Sequence, residues 1–319
     1  MPAAVPSPGR VALTGATGFI GSHAVTALDA AGWRLRLLAR REPPLLKCGQ
    51  VPELVIGELA DEDALAALVA DCDVVVHLAG LVKARSRAEF FRANTDGAAR
   101  LARVAAARSQ PPRFLLVSSI AAREPALSSY CASKRAAEEA LQREAGGMAW
   151  SIVRPPVVYG PRDREMLPLF RAIARGIAPR PPLAGRMSML FVNDLADLIT
   201  VTIQESAKLG QIWEVDDGAV AGHSWPDLAA AAAAALGRSP IPITLPRGLL
   251  ALIGAWNDAA AARSGRARML TREKVRELLH ADWVVHDRLP AAGTNWQPRW
   301  DLRRGFAETA VWYRGNGWL

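Results

Sequence analysis

The stretch Thr14-Gly15-Ala16-Thr17-Gly18-Phe19-Ile20-Gly21 follows a short apolar run, Arg10 to Thr14, and leads into an amphipathic segment. Glycines spaced G-x-x-G-x-x-G between strand and helix permit a tight bend, let a pyrophosphate approach the backbone, and let the helix pack close to the sheet. The helix N-terminus adds unpaired N–H groups and a partial positive charge that suit an anion. Gly15, Gly18 and Gly21 are therefore candidate dinucleotide-binding residues, although glycines also serve turns that hold no ligand.

Outward from this turn, short β-type runs alternate with longer amphipathic stretches, the pattern of a parallel sheet with crossover helices. The runs are Arg34 to Ala39, Glu53 to Ile56, Asp73 to Leu78, Arg113 to Ser118 and Ser151 to Arg154, with helices expected near Ile20 to Ala31, Ala64 to Val69, Glu89 to Arg108 and Ser129 to Glu144. The expected fold is α/β: a Rossmann-type doubly wound parallel sheet with a smaller, irregular C-terminal substrate lobe. Residues 1–9, with three prolines, read as a flexible lead. Residues 10–160, joined by later sheet strands near 213–215 and 241–244, form the cofactor domain. Residues 161–319 form mainly the lobe, where proline pairs, the alanine run Ala229 to Ala235 and eight of the ten tryptophans fall.

The chain has 319 residues, 50% of them hydrophobic and 22% charged, which excludes fibrous and disordered classes. Its three cysteines, Cys48, Cys72 and Cys131, lack metal-ligand spacing, so no metal is expected and the thiols read as reduced in a cytoplasmic protein. The net charge of +8 is carried almost wholly by arginine, since only Lys47, Lys83, Lys134, Lys208 and Lys274 are lysines. No dense basic run with interleaved aromatics accompanies it, so no nucleic-acid partner is expected. Leu249 to Trp256 is too short an apolar run to span a bilayer.

Two further patterns carry chemistry. At the end of the second strand, where an acidic residue would accept from a ribose 2′-hydroxyl, stand Arg40 and Arg41; a cation there suits a 2′-phosphate and reads as NADP(H) in preference to NAD(H). Tyr130 and Lys134 lie four residues apart at the start of a helix and share one face. A neighbouring ammonium favours the phenolate, which makes Tyr130 a candidate acid/base.

Taken together, TGATGFIG, VVVHLAG (Val74 to Gly80), Asn94 in NTDGAARL, VSSIAA, YCASK, RPPVVYGP (Arg154 to Pro161) and FVNDLADLI (Phe191 to Ile199) resemble the extended short-chain dehydrogenase/reductases, a superfamily of NAD-dependent epimerases and dehydratases, nearest in character to dihydroflavonol reductases and 3β-hydroxysteroid dehydrogenases. The resemblance implies an NAD(P)-dependent oxidoreductase in which Tyr130 is the acid/base, Lys134 bonds the nicotinamide ribose, and Ser119, or else Ser118, meets the substrate oxygen. It assigns to the cofactor Gly15, Thr17, Gly18, Phe19, Ile20, Gly21, Arg40, Glu58, Leu59, Leu78, Ala79, Gly80, Lys134 and Pro156. Asn94 is expected to brace the sheet, His77 to be structural, and Asp194 to cap a helix over Leu195 to Gln204. Ile120 stands where epimerases of nucleotide sugars often carry Ser or Thr, and only ten residues separate Ser119 from Tyr130, which implies an open substrate site.

Three functions follow from these residues. The first is an NADP(H)-dependent reductase or dehydrogenase of a small, lipophilic carbonyl or secondary alcohol. The second is a nucleotide-sugar epimerase or dehydratase using NAD, with Arg162, Arg164, Arg171, Arg175 and Arg186 available to a substrate pyrophosphate. The third is a non-catalytic NAD(P)-binding subunit, against which the intact Tyr130 and Lys134 speak. Leu249 to Ile253, with Trp256, Trp283, Trp296 and Trp300, either line an apolar pocket, touch a membrane surface peripherally, or fill the lobe's core. Oligomerisation is left open.

Overall fold

The computed structural model describes residues 9–42, 48–182, 185–204, 210–264, 267–268, 270–286 and 296–319. All of the expected lead except Gly9 lies outside them. From the N-terminus run β1 (Arg10–Thr14), α1 (Phe19–Ala30), β2 (Arg34–Ala39), β3 (Glu53–Ile56), α2 (Glu62–Val69) and β4 (Val74–His77). A short helix, Arg87–Phe90, then passes through a π turn, Phe91–Asp96, into α3 (Gly97–Ala106). Next come β5 (Arg113–Val117), α4 (Ser129–Glu144) and β6 (Trp150–Arg154).

Together with β7 (Gln211–Glu214) these strands form a seven-stranded sheet in the order β7-β6-β5-β4-β1-β2-β3, every neighbouring pair parallel. Parallel strands covered on both faces need continuous apolar runs, and β4 (VVVH) and the last four residues of β5 (FLLV) are buried throughout. The chain leaves β1 towards β2 and returns on the other side at β4, so the crevice beyond the carboxyl ends of β1 and β4 is the switch point at which such sheets bind ligands.

The lobe contributes α5 (Leu167–Ala174), α6 (Val192–Gln204), α7 (Trp225–Leu236), α8 (Arg247–Ser264), α9 (Arg272–Leu278) and α10 (Leu302–Gly315). Helix α6 lies with α1 over one sheet face, in a core that includes Leu13, Leu37, Leu195 and Trp213. Helices α2, α3 and α4 cover the other face, and a third core around Phe170, Phe191, Phe306 and Tyr313 belongs to the lobe. The alanine run forms most of α7, which starts in a capping box of Ser224 and Asp227 and ends at left-handed Gly237, φ 63°.

Two expectations require correction. Ile241–Thr244 does not extend the central sheet; it pairs with Ile177–Arg180 in a separate two-stranded sheet. Pro242 lacks the N–H that a central strand must donate, and Ile241 and Ile243 lie in water, so the segment suits an edge. Asp194 does not cap its helix, which begins two residues earlier at Val192. Its carboxylate instead accepts from the N–H groups of Arg299 and Trp300, each at 3.1 Å, and ties the C-terminal segment to α6.

A buried ionic network joins the last strands to α4. Arg154 at the end of β6 binds Glu138 of α4 at 2.6 Å and Glu214 of β7 at 3.3 Å, while Ser118 donates to Glu138 at 2.5 Å. Glu138 is only 1% exposed and Arg154 8%, so neither charge has water to replace a lost partner. Arg123 extends the network, reaching Glu214 at 3.2 Å and the backbone oxygen of Val284 at 2.8 Å. Replacing Glu138 by Ala should therefore cost about 3 kcal/mol of stability by stranding Arg154, and the joint change Glu138→Leu with Arg154→Met should cost clearly less. Urea unfolding followed by tryptophan fluorescence reads both; equal losses would remove the ion pair from the account.

Candidate active site

The glycine turn closes on itself through a hydrogen bond from Gly18 N–H to the Gly15 oxygen, 3.0 Å, and through the left-handed backbone of Gly15, φ 77°. A Cβ on Gly15 would stand 2.7 Å from the Ala79 nitrogen, and one on Gly21 only 2.0 Å from the Gly15 oxygen, so close packing dictates both glycines. Gly18 is different. It is exposed and caps α1 with no side-chain acceptor, which leaves the first-turn N–H groups to an external anion. An exposed turn backbone at a helix N-terminus in the switch-point crevice fits a dinucleotide pyrophosphate.

The other expected cofactor residues are distributed around this crevice. Thr17 is exposed and Phe19 half-buried, while Ile20 and Leu78 rest partly against the core. Ala79 donates its N–H to the Thr14 hydroxyl, and Gly80 is exposed beside Asn94. Arg40 is exposed immediately beyond β2, and Glu58 is exposed beyond β3. Leu59 turns inward onto Gly97, and Pro156 is buried in the wall of an apolar cavity.

Tyr130 lies in the first turn of α4, which Ser128 caps by accepting from Cys131 N–H at 3.1 Å. The Ser119 hydroxyl is near enough to the phenol to oppose the rise of its pKa. Ser119 is the serine that reaches the tyrosine; Ser118 is committed to Glu138. Lys134 is buried one turn on, and its Nζ donates to the Val117 oxygen at 3.1 Å. Burial, only partly opposed by the Glu138 carboxylate, brings the Lys134 pKa down to about 8. Burial also raises the Tyr130 pKa above its ordinary value, against the Ser119 hydroxyl and the charge of Lys274. A cation that the sequence did not single out, Lys274 of α9, thus also acts on the phenol.

Lys274 carries no sequence signal: TREKVRE reads as an ordinary charged helix. Its Nζ lies 5.6 Å from the centre of the Tyr130 ring and 2.7 Å from Glu277. Burial works against the ammonium, but the Glu277 carboxylate outweighs it and keeps the Lys274 pKa above the usual value. Glu273 of the same helix accepts from the N–H and the hydroxyl of Ser129, each at 2.9 Å, and so anchors α9 to the start of α4. That contact spans 144 residues and is invisible to local pattern.

Two cavities meet at Tyr130. One, of about 400 Å³, is largely apolar and is lined by Ser119, Ile120, Met187, Trp225, Leu228 and Trp283 among others. The second, of about 460 Å³, is charged, with Lys83, Arg85, Arg87 and Arg268 opposite Asp258 and Glu273. Lys274 and Glu277 border both. Of the tryptophans expected at a pocket only Trp283 lines one; Trp296 rests against the sheet core, Trp300 stacks on Phe191, and Trp256 is exposed. The five arginines considered for a substrate pyrophosphate do not converge. Arg164 lies over Trp318, Arg171 bonds the Trp318 oxygen, Arg175 the Arg171 oxygen, and Arg186, at the apolar cavity, is held by Ala221 and Gly222. Arg162, beyond β6, lines neither cavity.

Asn94 braces the fold, bonding both backbone groups of Leu81 and the Ser133 hydroxyl. His77 is buried against Thr14 at 2.6 Å, and burial, with the charge of Lys134, pushes its pKa to about 3, so it stays neutral at ordinary pH. Among the described residues no helix is long and apolar enough to cross a membrane.

Comparison with known proteins agrees with this geometry. The family model described as the NAD dependent epimerase/dehydratase family matches residues 11–215. The chain is 41% identical over 314 residues to the ceramide reductase of Caulobacter vibrioides, covering 98% of this chain and 96% of that protein. It is 29% identical over 245 residues to a 3 beta-hydroxysteroid dehydrogenase/Delta 5-->4-isomerase of Mycobacterium tuberculosis, covering 68% and 64%. Among solved structures, MoeE5 in complex with UDP-glucuronic acid and NAD superposes with a TM-score of 0.75 at 22% identity, over 97% of this chain and 100% of that one. The chain belongs to the NAD dependent epimerase/dehydratase family, and is an NAD(P)-dependent enzyme of the extended short-chain dehydrogenase/reductase type.

Proposed function

We propose that this protein is an NADP(H)-dependent reductase of a ketone on a long-chain, ceramide-like lipid. The observation that carries this reading is the junction at Tyr130 of an apolar cavity and a charged one, which suits an amphipathic substrate better than a sugar nucleotide. The extensive likeness to a ceramide reductase supports the lipid class. An amide carbonyl resists hydride, so the reacting group of such a lipid is a ketone.

Gly15, Gly18 and Gly21 with the start of α1 would hold the cofactor pyrophosphate, Arg40 a 2′-phosphate, and Lys134 the nicotinamide ribose. When bound, the cofactor supplies the hydride that reduces the carbonyl carbon. Tyr130 gives its phenolic proton to the carbonyl oxygen, Ser119 holds that oxygen by a hydrogen bond, and the product is a secondary alcohol. The phenol recovers its proton from solvent. The apolar cavity takes the hydrocarbon and keeps water from the reacting carbon, while the charged cavity accepts the polar end.

Replacing Tyr130 by Phe should lower turnover by about 10²- to 10⁴-fold and leave NADPH affinity nearly unchanged, as read by steady-state rates and NADPH fluorescence titration. Unchanged turnover would take the phenol out of the reaction. Arg40→Asp should move cofactor preference from NADPH towards NADH by about tenfold or more, through loss of one charge-assisted contact; an unaltered ratio would defeat the phosphate assignment. Lys274→Gln leaves Glu277 beside the phenol without its counter-charge, so the Tyr130 pKa rises further. Reduction needs the protonated phenol, so the alkaline limb of its kcat/KM profile should move to higher pH, and a stationary limb would show that Lys274 does not act on Tyr130.

A further inference from the structure

Helix α8 turns Leu249, Leu252 and Trp256 outward, 44%, 69% and 65% exposed. Helical periodicity gathers the three into one narrow stripe. Leu250 and Gly254 occupy the other side of the helix and are buried, Gly254 against the backbone of Arg272. The strand that leads into α8 adds Ile241 and Ile243, 71% and 43% exposed. Contiguous large apolar groups in water mark a surface that something covers.

The charge around the stripe identifies what covers it. Arg247 opens the helix, Arg263 lies in its last turn, and the Arg268 guanidinium sits over the Trp256 ring at 5.4 Å. The helix has one acidic residue, Asp258, and Arg272 faces it at 3.9 Å. An apolar stripe with an arginine rim and a tryptophan at its edge, on a chain of net charge +8, matches an anionic headgroup layer over acyl chains. The stripe also borders the active site, because Arg268 and Asp258 line the charged cavity at Tyr130.

We propose that α8 docks this protein on an anionic lipid surface, with Leu249, Leu252 and Trp256 entering the boundary between headgroups and acyl chains. The cavity mouth then faces the bilayer, and a lipid substrate reaches Tyr130 without crossing water; this last step rests on the lipid-reductase reading above.

Co-sedimentation of the full chain with vesicles tests the docking without any need for turnover. Binding is expected to vesicles of phosphatidylcholine mixed with phosphatidylglycerol, to be weaker to phosphatidylcholine alone, and to fall with added salt. The double variant Leu252→Glu, Trp256→Glu should lose binding by about tenfold or more, as expected for two large side chains withdrawn from the boundary. It should keep NADPH affinity and turnover of a short-chain, water-soluble ketone, which shows that the fold is intact. Wild-type protein that ignores both vesicles, or a variant that binds them as well as wild type does, would overturn the proposal. So would a wild-type dimer in gel filtration that the variant abolishes while neither binds lipid, since the stripe would then serve a second copy of the chain. Vesicle binding without turnover of any ketone would leave docking standing and count against the reductase reading alone.

Discussion

Tyr130, Lys134 and Glu138 project from one side of α4 at four-residue intervals, and the site depends on how their buried polar groups are satisfied. Glu138 is met by Arg154 and Ser118, and Lys134 by the Val117 oxygen. These bonds hold α4 to the carboxyl ends of β5 and β6. A buried charge without a partner is costly, so the helix cannot slide or rotate without losing several contacts together. Tyr130, which has no ionic partner of its own, inherits a position fixed by the two residues that follow it on that face.

The lobe reaches this helix through charge as well. Glu273 takes the free N–H and hydroxyl of Ser129 at the start of α4, and Lys274 sets an ammonium beside the phenol with Glu277 to balance it. Arg123 performs a similar task on the sheet side, joining Glu214 to the oxygen of Val284. The glycine-turn domain and the lobe are therefore linked by polar contacts.

How much was legible in the sequence follows from how local each signal is. The doubly wound parallel sheet needed only apolar runs and the glycine turn, because strands that alternate with helices leave few alternatives once they are marked. Tyr130 and Lys134 were visible because the helix that carries them fixes their spacing. Ser118 and Ser119 were adjacent and indistinguishable until Glu138, on another element, claimed one. Ile241–Thr244 looked like any strand; only its exposure and Pro242 identify it as an edge. Asp194 has the sequence look of a cap, yet a segment about a hundred residues later supplies the N–H groups that it accepts. Lys274 could not be found at all, since nothing local separates it from a solvated lysine.

Burial also bears on the direction of the chemistry. It raises the phenol's pKa and lowers that of Lys134 to about 8, so both members of the pair are pushed towards their neutral forms. A neutral phenol is a proton donor, the form that reduction of a carbonyl requires. Oxidation of an alcohol requires the phenolate, which must be stabilised by positive charge. Lys134 donates to the Val117 oxygen, and Lys274 is paired with Glu277. Burial therefore favours the neutral phenol, the form that the proposed reduction would use as its proton donor.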